Sequence, residues 1–314
     1  MHHRIKRAVS LLCVLVALFS CLSLPGYAAE TETPISSYAV DENSAVYAAC
    51  QAVADTIGAR QILVYDATAD QLLYSKSVTG GKLYPASTTK LFSAYVALRY
   101  LEADTVITAG DELDALDPGS SIAYITEGHK LTAEMLVEGM LLPSGNDAAL
   151  VLAAGAGKAI AGDESLSGAE AVRVFVAEMN RMAEELGFEK SHFVNPHGFH
   201  SGAHYTCVND MARIAKLALE NPVISRYMGV HEEDVVYASG HSNHWINTNL
   251  LLDPESEFHY PGTLGMKTGR TSQAGYCLMS AFPLNGHTIV VGVFGYDDAN
   301  DRFRDVVSLL NACK

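Results

Sequence analysis

The chain has 314 residues, 49% of them hydrophobic, and its 36 acidic side chains outnumber 21 basic ones to give a formal net charge of −15. This length and apolar content are enough to bury one large hydrophobic core. An acidic surface repels the phosphates of nucleic acids and the headgroups of anionic membranes, so the composition argues against both as partners.

The N-terminus has the pattern of an export signal. Three basic residues stand among the first seven, residues 8–24 are almost entirely apolar, and small residues up to Ala29 surround a cleavage site after Ala28. The apolar stretch is short for a bilayer span and ends in Pro-Gly, which favours cleavage over a retained anchor. Lipid attachment at Cys21 fits the pattern less well. We therefore predict a signal peptide over 1–28 and an exported protein, extracytoplasmic in the cell wall or periplasmic space, or secreted.

The predicted elements follow in chain order after a polar, patternless linker over 29–42. They are a helix over 44–57, a β-hairpin with strands at 62–65 and 72–74, helices from 87 and over 131–142, 146–159, 172–186 and 206–219, strands at 276–282 and 287–294, and a closing helix over 301–311. Strands near both ends with helices between them predict one α/β domain over 43–314 that includes a helical lobe.

Ser87 and Lys90 carry the first chemical signal. Residues 85–90 read Pro-Ala-Ser-Thr-Thr-Lys and open an apolar helical stretch. Residues three apart on a helix share a face, so the Lys90 amine is within reach of the Ser87 hydroxyl. A serine becomes a nucleophile when a neighbouring base takes its proton, and a desolvated lysine can be that base. Alone the pattern is weak, because Ser87 could equally be a helix cap and Lys90 a solvated charge.

Two partner motifs follow in a recognisable order. They are Ser-Gly-Asn at 144–146 and Lys-Thr-Gly at 267–269. The three motifs together resemble the penicillin-recognising serine enzymes. The Ser-Gly-Asn form and the segments 141–149, 192–198 and 265–277 resemble the serine D-alanyl-D-alanine carboxypeptidases, the low-molecular-mass penicillin-binding proteins. The resemblance runs from about Ala59 to the C-terminus.

This resemblance implies a fold, a substrate and a set of inhibitors. The fold is the β-lactamase and transpeptidase type, an antiparallel sheet flanked by helices with a helical lobe. The substrate is the peptidoglycan stem peptide ending in D-Ala-D-Ala, from which the enzyme removes the last D-alanine through a serine acyl-enzyme. β-Lactam antibiotics acylate the same serine, and no metal or cofactor is implied. Many members carry a further β-rich domain and an amphipathic membrane helix, neither of which we expect here.

The resemblance also implies catalytic roles. Ser87 attacks the carbonyl between the two D-alanines while Lys90 takes its proton. Ser144 and Lys267 pass a proton to the departing D-alanine. The backbone N–H groups of Ser87 and of Arg270 stabilise the oxyanion.

Binding roles fall to a second set of residues. The Asn146 amide is expected to hold the substrate backbone, while Thr268 and Gly269 pair with the extended peptide as an added strand, with Gly269 allowing its close approach. The free carboxylate of the substrate needs a cation. Arg304 matches an arginine that serves this role in relatives, with Arg302 and the arginine after Lys-Thr-Gly as alternatives; surface ion pairs are an equally good explanation for the two helix arginines.

Other functions fit the sequence less well. A D,D-transpeptidase or endopeptidase would use the same acyl-enzyme and stays open. A class A β-lactamase needs Glu-x-x-x-Asn between the second and third motifs, and this chain has none there. A metallopeptidase is suggested by His197, His200 and His204, yet their segment belongs to the serine-enzyme pattern. A non-catalytic peptidoglycan-binding protein would have no reason to keep all three motifs.

Four cysteines remain beyond the predicted signal, namely Cys50, Cys207, Cys277 and Cys313. In an exported chain they permit two disulfides in three connectivities, which the sequence cannot rank. The resemblance places the first and last helical segments side by side, which suggests a bridge between Cys50 and Cys313. Four buried thiols are an equally good expectation.

Overall fold

The computed structural model describes residues 39–314, whose centre is a five-stranded antiparallel sheet. The predicted signal peptide and most of the linker lie outside the described residues and stay predictions. In spatial order the strands are β2 (Gln71–Lys76), β1 (Gln61–Asp66), β9 (His287–Tyr296), β8 (Gly275–Leu284) and β7 (Gly265–Thr271). The sheet confirms the predicted hairpin and both C-terminal strands, and it places the Lys-Thr-Gly motif on the edge strand β7.

Two terminal helices cover one face of the sheet. They are α1 (Ala45–Ala54), which is capped by the Ser44 hydroxyl, and α8 (Asp301–Asn311). Phe303 and Val306 of α8 are buried against the sheet, so the apolar stripe of this helix faces the core. Within residues 39–314, no helix combines the length and apolarity needed to cross a membrane.

The other face of the sheet carries a helical lobe. Its helices are α2 (Thr89–Ala97), α3 (Ala133–Leu141), α4 (Asn146–Ala161), α5 (Gly168–Glu185), α6 (Val208–Glu220) and α7 (Pro222–Met228). Every residue of α2 is buried, because this helix runs through the middle of the lobe. Two small antiparallel pairs complete the lobe: β3 (Val106–Thr108) with β4 (Lys130–Thr132), and β5 (Glu232–Val236) with β6 (Ser242–Ile246). The sequence pattern predicted neither pair, nor α7.

The suggested disulfide between Cys50 and Cys313 is absent. The two segments that carry these cysteines are neighbours, as expected. All four cysteines of the described chain are free thiols. The Cys50 and Cys313 thiols lie close together between α1 and the end of α8, and their interaction together with burial raises the pKa of Cys50. The resemblance therefore placed the two segments correctly, and the expectation of free thiols is the one that the structure supports.

Candidate active site

The predicted nucleophile lies on a short 3₁₀ turn rather than on the α-helix itself. This turn, Ala86–Thr88, precedes α2 and is called the Ser87 turn below. Ala86 has a φ of +48°, a conformation that costs energy for a residue with a β-carbon and persists only where the surroundings enforce it. Ser87 is half-buried, and Lys90 lies in the first turn of α2 with none of its surface exposed.

The Lys90 amine has three oxygen neighbours. Its Nζ lies 2.9 Å from the Ser87 Oγ, 2.7 Å from the Asn146 Oδ1 and 3.1 Å from the His197 carbonyl oxygen. Burial and the nearby positive charge of Lys267 place the pKa of Lys90 well below its usual value. A neutral amine has two N–H donors and one lone pair. In that form the amide oxygen and the carbonyl can take the two donors, and the lone pair is then available for the Ser87 hydroxyl proton.

The second motif forms the wall opposite the Ser87 turn. Ser144 is buried with a φ of +64°, and Asn146 opens α4. Both ends of the Asn146 amide have protein partners, because its Nδ2 donates to the Ser120 Oγ at 2.9 Å. The Asn146 backbone N–H donates to the Ser121 carbonyl at 2.8 Å. The motif is thereby fastened to the segment around Ser120, which the sequence analysis did not single out.

The third motif brings a second buried lysine. Lys267 has no exposed surface, and its Nζ donates to the Thr268 Oγ1 at 3.4 Å. Burial and the positive charge of Arg302 lower the pKa of Lys267 to about 7. The Thr268 hydroxyl also forms a 2.5 Å hydrogen bond with the Thr248 hydroxyl. No motif or periodicity in the sequence marked Thr248.

Gly269 has a structural reason within the protein itself, besides the predicted approach of a substrate peptide, which stays a prediction. A β-carbon at Gly269 would lie 3.0 Å from the Pro85 carbonyl oxygen and 3.1 Å from the Ser87 backbone nitrogen. These are backbone atoms that cannot easily move. The glycine therefore allows β7 to approach the Ser87 turn.

The three candidate arginines lie in different places. Arg270 lines the pocket, and its guanidinium lies 5.1 Å from the centre of the Tyr276 ring. Arg302 lies 5.2 Å from the same ring centre and donates to the Gly269 carbonyl at 3.3 Å. Arg304 is 53% exposed and points to Glu257 at 3.5 Å. The structure therefore does not bring Arg304 to the pocket, and the positive charge at this end comes from the other two arginines.

These elements enclose a cleft of about 450 Å³, a size typical of small-ligand sites. Its walls come from the Ser87 turn, the segment 119–121, Asn146, the loop 198–200 and the end of β7 with the following turn. Lys90 lies behind the Ser87 turn. His200, on the loop 198–200, also lines the cleft.

Two neighbouring histidines are part of the wall behind the cleft. The His204 Nε2 lies 2.9 Å from the Thr89 Oγ1, and its Nδ1 accepts the Val194 N–H at 3.2 Å. The His197 Nδ1 accepts a backbone N–H at 3.2 Å. Burial lowers the pKa of both rings to about 3, so they are neutral at physiological pH. Hydrogen bonds within the wall thus account for these two histidines.

Comparison with known proteins agrees with this geometry. Residues 48–298 match the peptidase S11 family, described as D-alanyl-D-alanine carboxypeptidase. The chain is 30% identical over 260 residues to D-alanyl-D-alanine carboxypeptidase DacF of Bacillus subtilis, which covers 81% of this chain and 61% of that protein. It is 31% identical over 239 residues to a D-alanyl-D-alanine carboxypeptidase of Streptomyces sp. strain K15, covering 72% of this chain and 77% of that one.

A solved structure extends the agreement to the fold. The Streptomyces K15 DD-transpeptidase matches with a TM-score of 0.70 and 29% identity, covering 82% of this chain and 97% of that chain. The antiparallel sheet, its flanking helices and the helical lobe expected from the resemblance are thereby confirmed. This chain spans less than two thirds of the Bacillus relative's length. The family profile, the identity to curated relatives and the shared fold lead to one conclusion: the chain belongs to the serine-type D-alanyl-D-alanine carboxypeptidase family, peptidase S11.

Proposed function

We propose that this enzyme removes the terminal D-alanine from peptidoglycan stem peptides that end in D-Ala-D-Ala, and that it does so outside the cytoplasm. The observation that carries the proposal is the Lys90 amine, which is fully buried and lies 2.9 Å from the Ser87 Oγ. Its two acceptors, Asn146 Oδ1 and the His197 carbonyl, use both N–H groups of a neutral amine. The lone pair then faces the Ser87 Oγ at 2.9 Å, as a general base must.

The first half of the reaction is acyl transfer to Ser87. The Ser87 oxygen attacks the carbonyl between the two D-alanines while its proton moves to the Lys90 amine. Backbone N–H groups of Ser87 and Arg270 would stabilise the oxyanion. The C–N bond then breaks, and the proton held by Lys90 passes by way of Ser144 and Lys267 to the departing D-alanine nitrogen, which leaves Lys90 neutral again. Water adds to the resulting ester while Lys90 takes one of its protons, and breakdown of the adduct returns that proton to the Ser87 oxygen.

Substrate binding uses the remaining walls of the cleft. An extended peptide would pair with the edge strand β7 at Thr268. The Asn146 amide would exchange its Ser120 partner for a substrate carbonyl. Arg270 and Arg302, on the Tyr276 ring, provide the positive charge for the terminal carboxylate. Because a β-lactam presents a similar reactive amide and carboxylate, we expect it to acylate Ser87 and inhibit the enzyme.

Release of D-alanine from diacetyl-Lys-D-Ala-D-Ala tests the proposal. The wild-type protein should release D-alanine with or without a metal chelator, and Ser87→Ala should lower release by at least about 10⁴-fold, because the nucleophile is gone. A labelled penicillin should attach to the wild-type protein and not to the variant. Undiminished release by Ser87→Ala would refute the proposal.

A transpeptidase is the second candidate, supported by the structural match to the Streptomyces K15 DD-transpeptidase. The acyl-enzyme is the same, and only the acceptor differs. Adding an amine acceptor such as glycine to the assay separates the two activities by mass spectrometry. Predominant formation of the glycine adduct, with little hydrolysis, would favour the transpeptidase.

Gly198→Ala should impair acylation although it removes no chemical group. Gly198 has a φ of +81°, and an added β-carbon would lie 1.8 Å from the Ala86 carbonyl oxygen. Because a displacement of about 1 Å can cost about 100-fold in rate, we expect penicillin acylation to fall by that factor. Gly202→Ala is the matched control, since a β-carbon there meets nothing within 4 Å. Equal acylation rates in the two variants would show that Gly198 does not position Ser87.

A further inference from the structure

Tyr124 has an unusual backbone conformation for a large side chain. Six residues other than glycine have a positive φ among residues 39–314. Asp70 and Asn285 belong to residue types that tolerate it in turns. Three more lie at the chemical motifs: Ala86, Ser144 and Met266. Tyr124, with a φ of +61°, is the sixth. Such strain clusters at functional sites, where the surroundings hold it in place.

The backbone on both sides of Tyr124 is held by buried groups. The Asp147 carboxylate accepts the Ala123 N–H at 2.8 Å and the Ile125 N–H at 2.9 Å. The Trp245 indole donates to the Ala123 carbonyl at 3.0 Å. Asp147 is 1% exposed and directly follows the Ser-Gly-Asn motif. A buried carboxylate and a buried indole thus fix the conformation of a residue that itself faces solvent.

Tyr124 is 66% exposed. Along the chain it closely follows residues that line the cleft. Ser121, three residues earlier, lines the cleft and accepts the Asn146 backbone N–H. Three residues of chain span at most about 10 Å. The backbone of Tyr124 therefore lies within about 10 Å of the cleft wall, on a segment fastened to the second motif.

We propose that Tyr124 is a specificity-determining residue that packs against the part of the stem substrate preceding D-Ala-D-Ala. This inference rests on the function proposed above. A cleft of about 450 Å³ takes the reacting dipeptide and its neighbour, and the rest of the stem with its sugar must extend over the rim. Tyrosine is suited to this contact, because its ring offers a rigid apolar face at low entropic cost.

The test compares substrates of increasing length with Tyr124→Asn and Tyr124→Phe. Asparagine tolerates a positive φ, so it removes the ring without adding backbone strain. We expect the kcat/KM ratio of muramyl-pentapeptide to diacetyl-Lys-D-Ala-D-Ala to fall about tenfold in Tyr124→Asn, the effect of losing roughly one aromatic contact. The ratio should stay near wild type in Tyr124→Phe, and the melting temperature should not fall in Tyr124→Asn. The free pentapeptide without sugar shows whether the ring contacts peptide or glycan.

Three results would overturn the proposal. An unchanged ratio in Tyr124→Asn, a parallel loss on both substrates, or a ratio that falls equally in Tyr124→Phe would each show that the ring does not select the substrate. The same question can be decided without turnover by measuring the affinity of muramyl-pentapeptide for the Ser87→Ala protein and for the double variant that also carries Tyr124→Asn. Equal affinities would count against the proposal. If the wild-type protein releases no D-alanine at all, the proposed function fails, and the binding comparison still decides the role of Tyr124.

Discussion

Lys90→Met is expected to lower the rate of penicillin acylation at Ser87 by about 10³- to 10⁴-fold, the range over which a general base contributes to catalysis. Methionine has a similar length and no proton acceptor of comparable basicity. The Ser87 hydroxyl would remain in place with no partner to take its proton. Stopped-flow acylation by a fluorescent penicillin measures this rate directly, because it isolates the first step from later hydrolysis.

The substitution should leave the protein folded. It removes the donor of two buried acceptors, the Asn146 amide oxygen and the His197 carbonyl, at a cost of about 1–3 kcal/mol for each. It also removes a buried amine whose desolvation costs several kcal/mol when it is charged. These effects oppose each other, so we expect a cooperative melting transition near that of the wild type. Lys130→Met, at an exposed position, is the matched control and should acylate normally. A Lys90→Met rate within tenfold of the wild type would assign the general base to another group.

The motifs allowed the chemistry of the site to be predicted from the sequence. Contacts that depend on the path of the backbone between distant segments could not be predicted in this way. Ser87 and Lys90 could be paired because they lie on one local segment, where helical spacing fixes the distance between them. Thr248 could not be found in this way, since its contact with Thr268 depends on a loop crossing beside β7. The reason for Gly269 likewise depends on how closely β7 approaches a turn that is distant in sequence.

The choice between Arg302 and Arg304 illustrates a second limit. Residues two apart on an α-helix point about 200° away from each other. Which of them faces the sheet is therefore set by the rotation of α8, and that rotation is fixed by the packing of residues such as Phe303. The expectation for Arg304 came from the family resemblance and did not take the rotation of α8 into account.

The small β5–β6 pair was missed for a related reason. Its first strand begins Glu-Glu-Asp, and three of its five positions are exposed before Val235 is buried. Strand predictions depend on alternating apolar residues, which an exposed, acidic ribbon does not provide. The ribbon nevertheless matters to the site, because Trp245 on β6 holds the carbonyl that precedes Tyr124.

A bell-shaped pH profile of acylation should follow from the two buried lysines. The rate rises with pH as Lys90 loses its proton, since only the neutral amine is a base, and burial with the Lys267 charge has moved this step well below the ordinary pKa of a lysine. The rate falls again as pH passes through the pKa of Lys267, about 7, because the neutral form no longer supplies a proton toward the leaving nitrogen. Acylation rates measured over the whole pH range in which the protein stays folded follow both limbs.

Lys267→Met separates the two limbs. Without the charge at this position we expect acylation to be slower by about 100-fold, the typical loss on removing one electrostatic contact to the transition state. The alkaline limb near pH 7 should disappear, while an acidic limb due to Lys90 remains and moves to higher pH, because a neighbouring positive charge no longer opposes protonation of Lys90. An unchanged alkaline limb in Lys267→Met would mean that a different group titrates there. The direction in which the acidic limb moves then shows whether the charge of Lys267 lowers the pKa of Lys90.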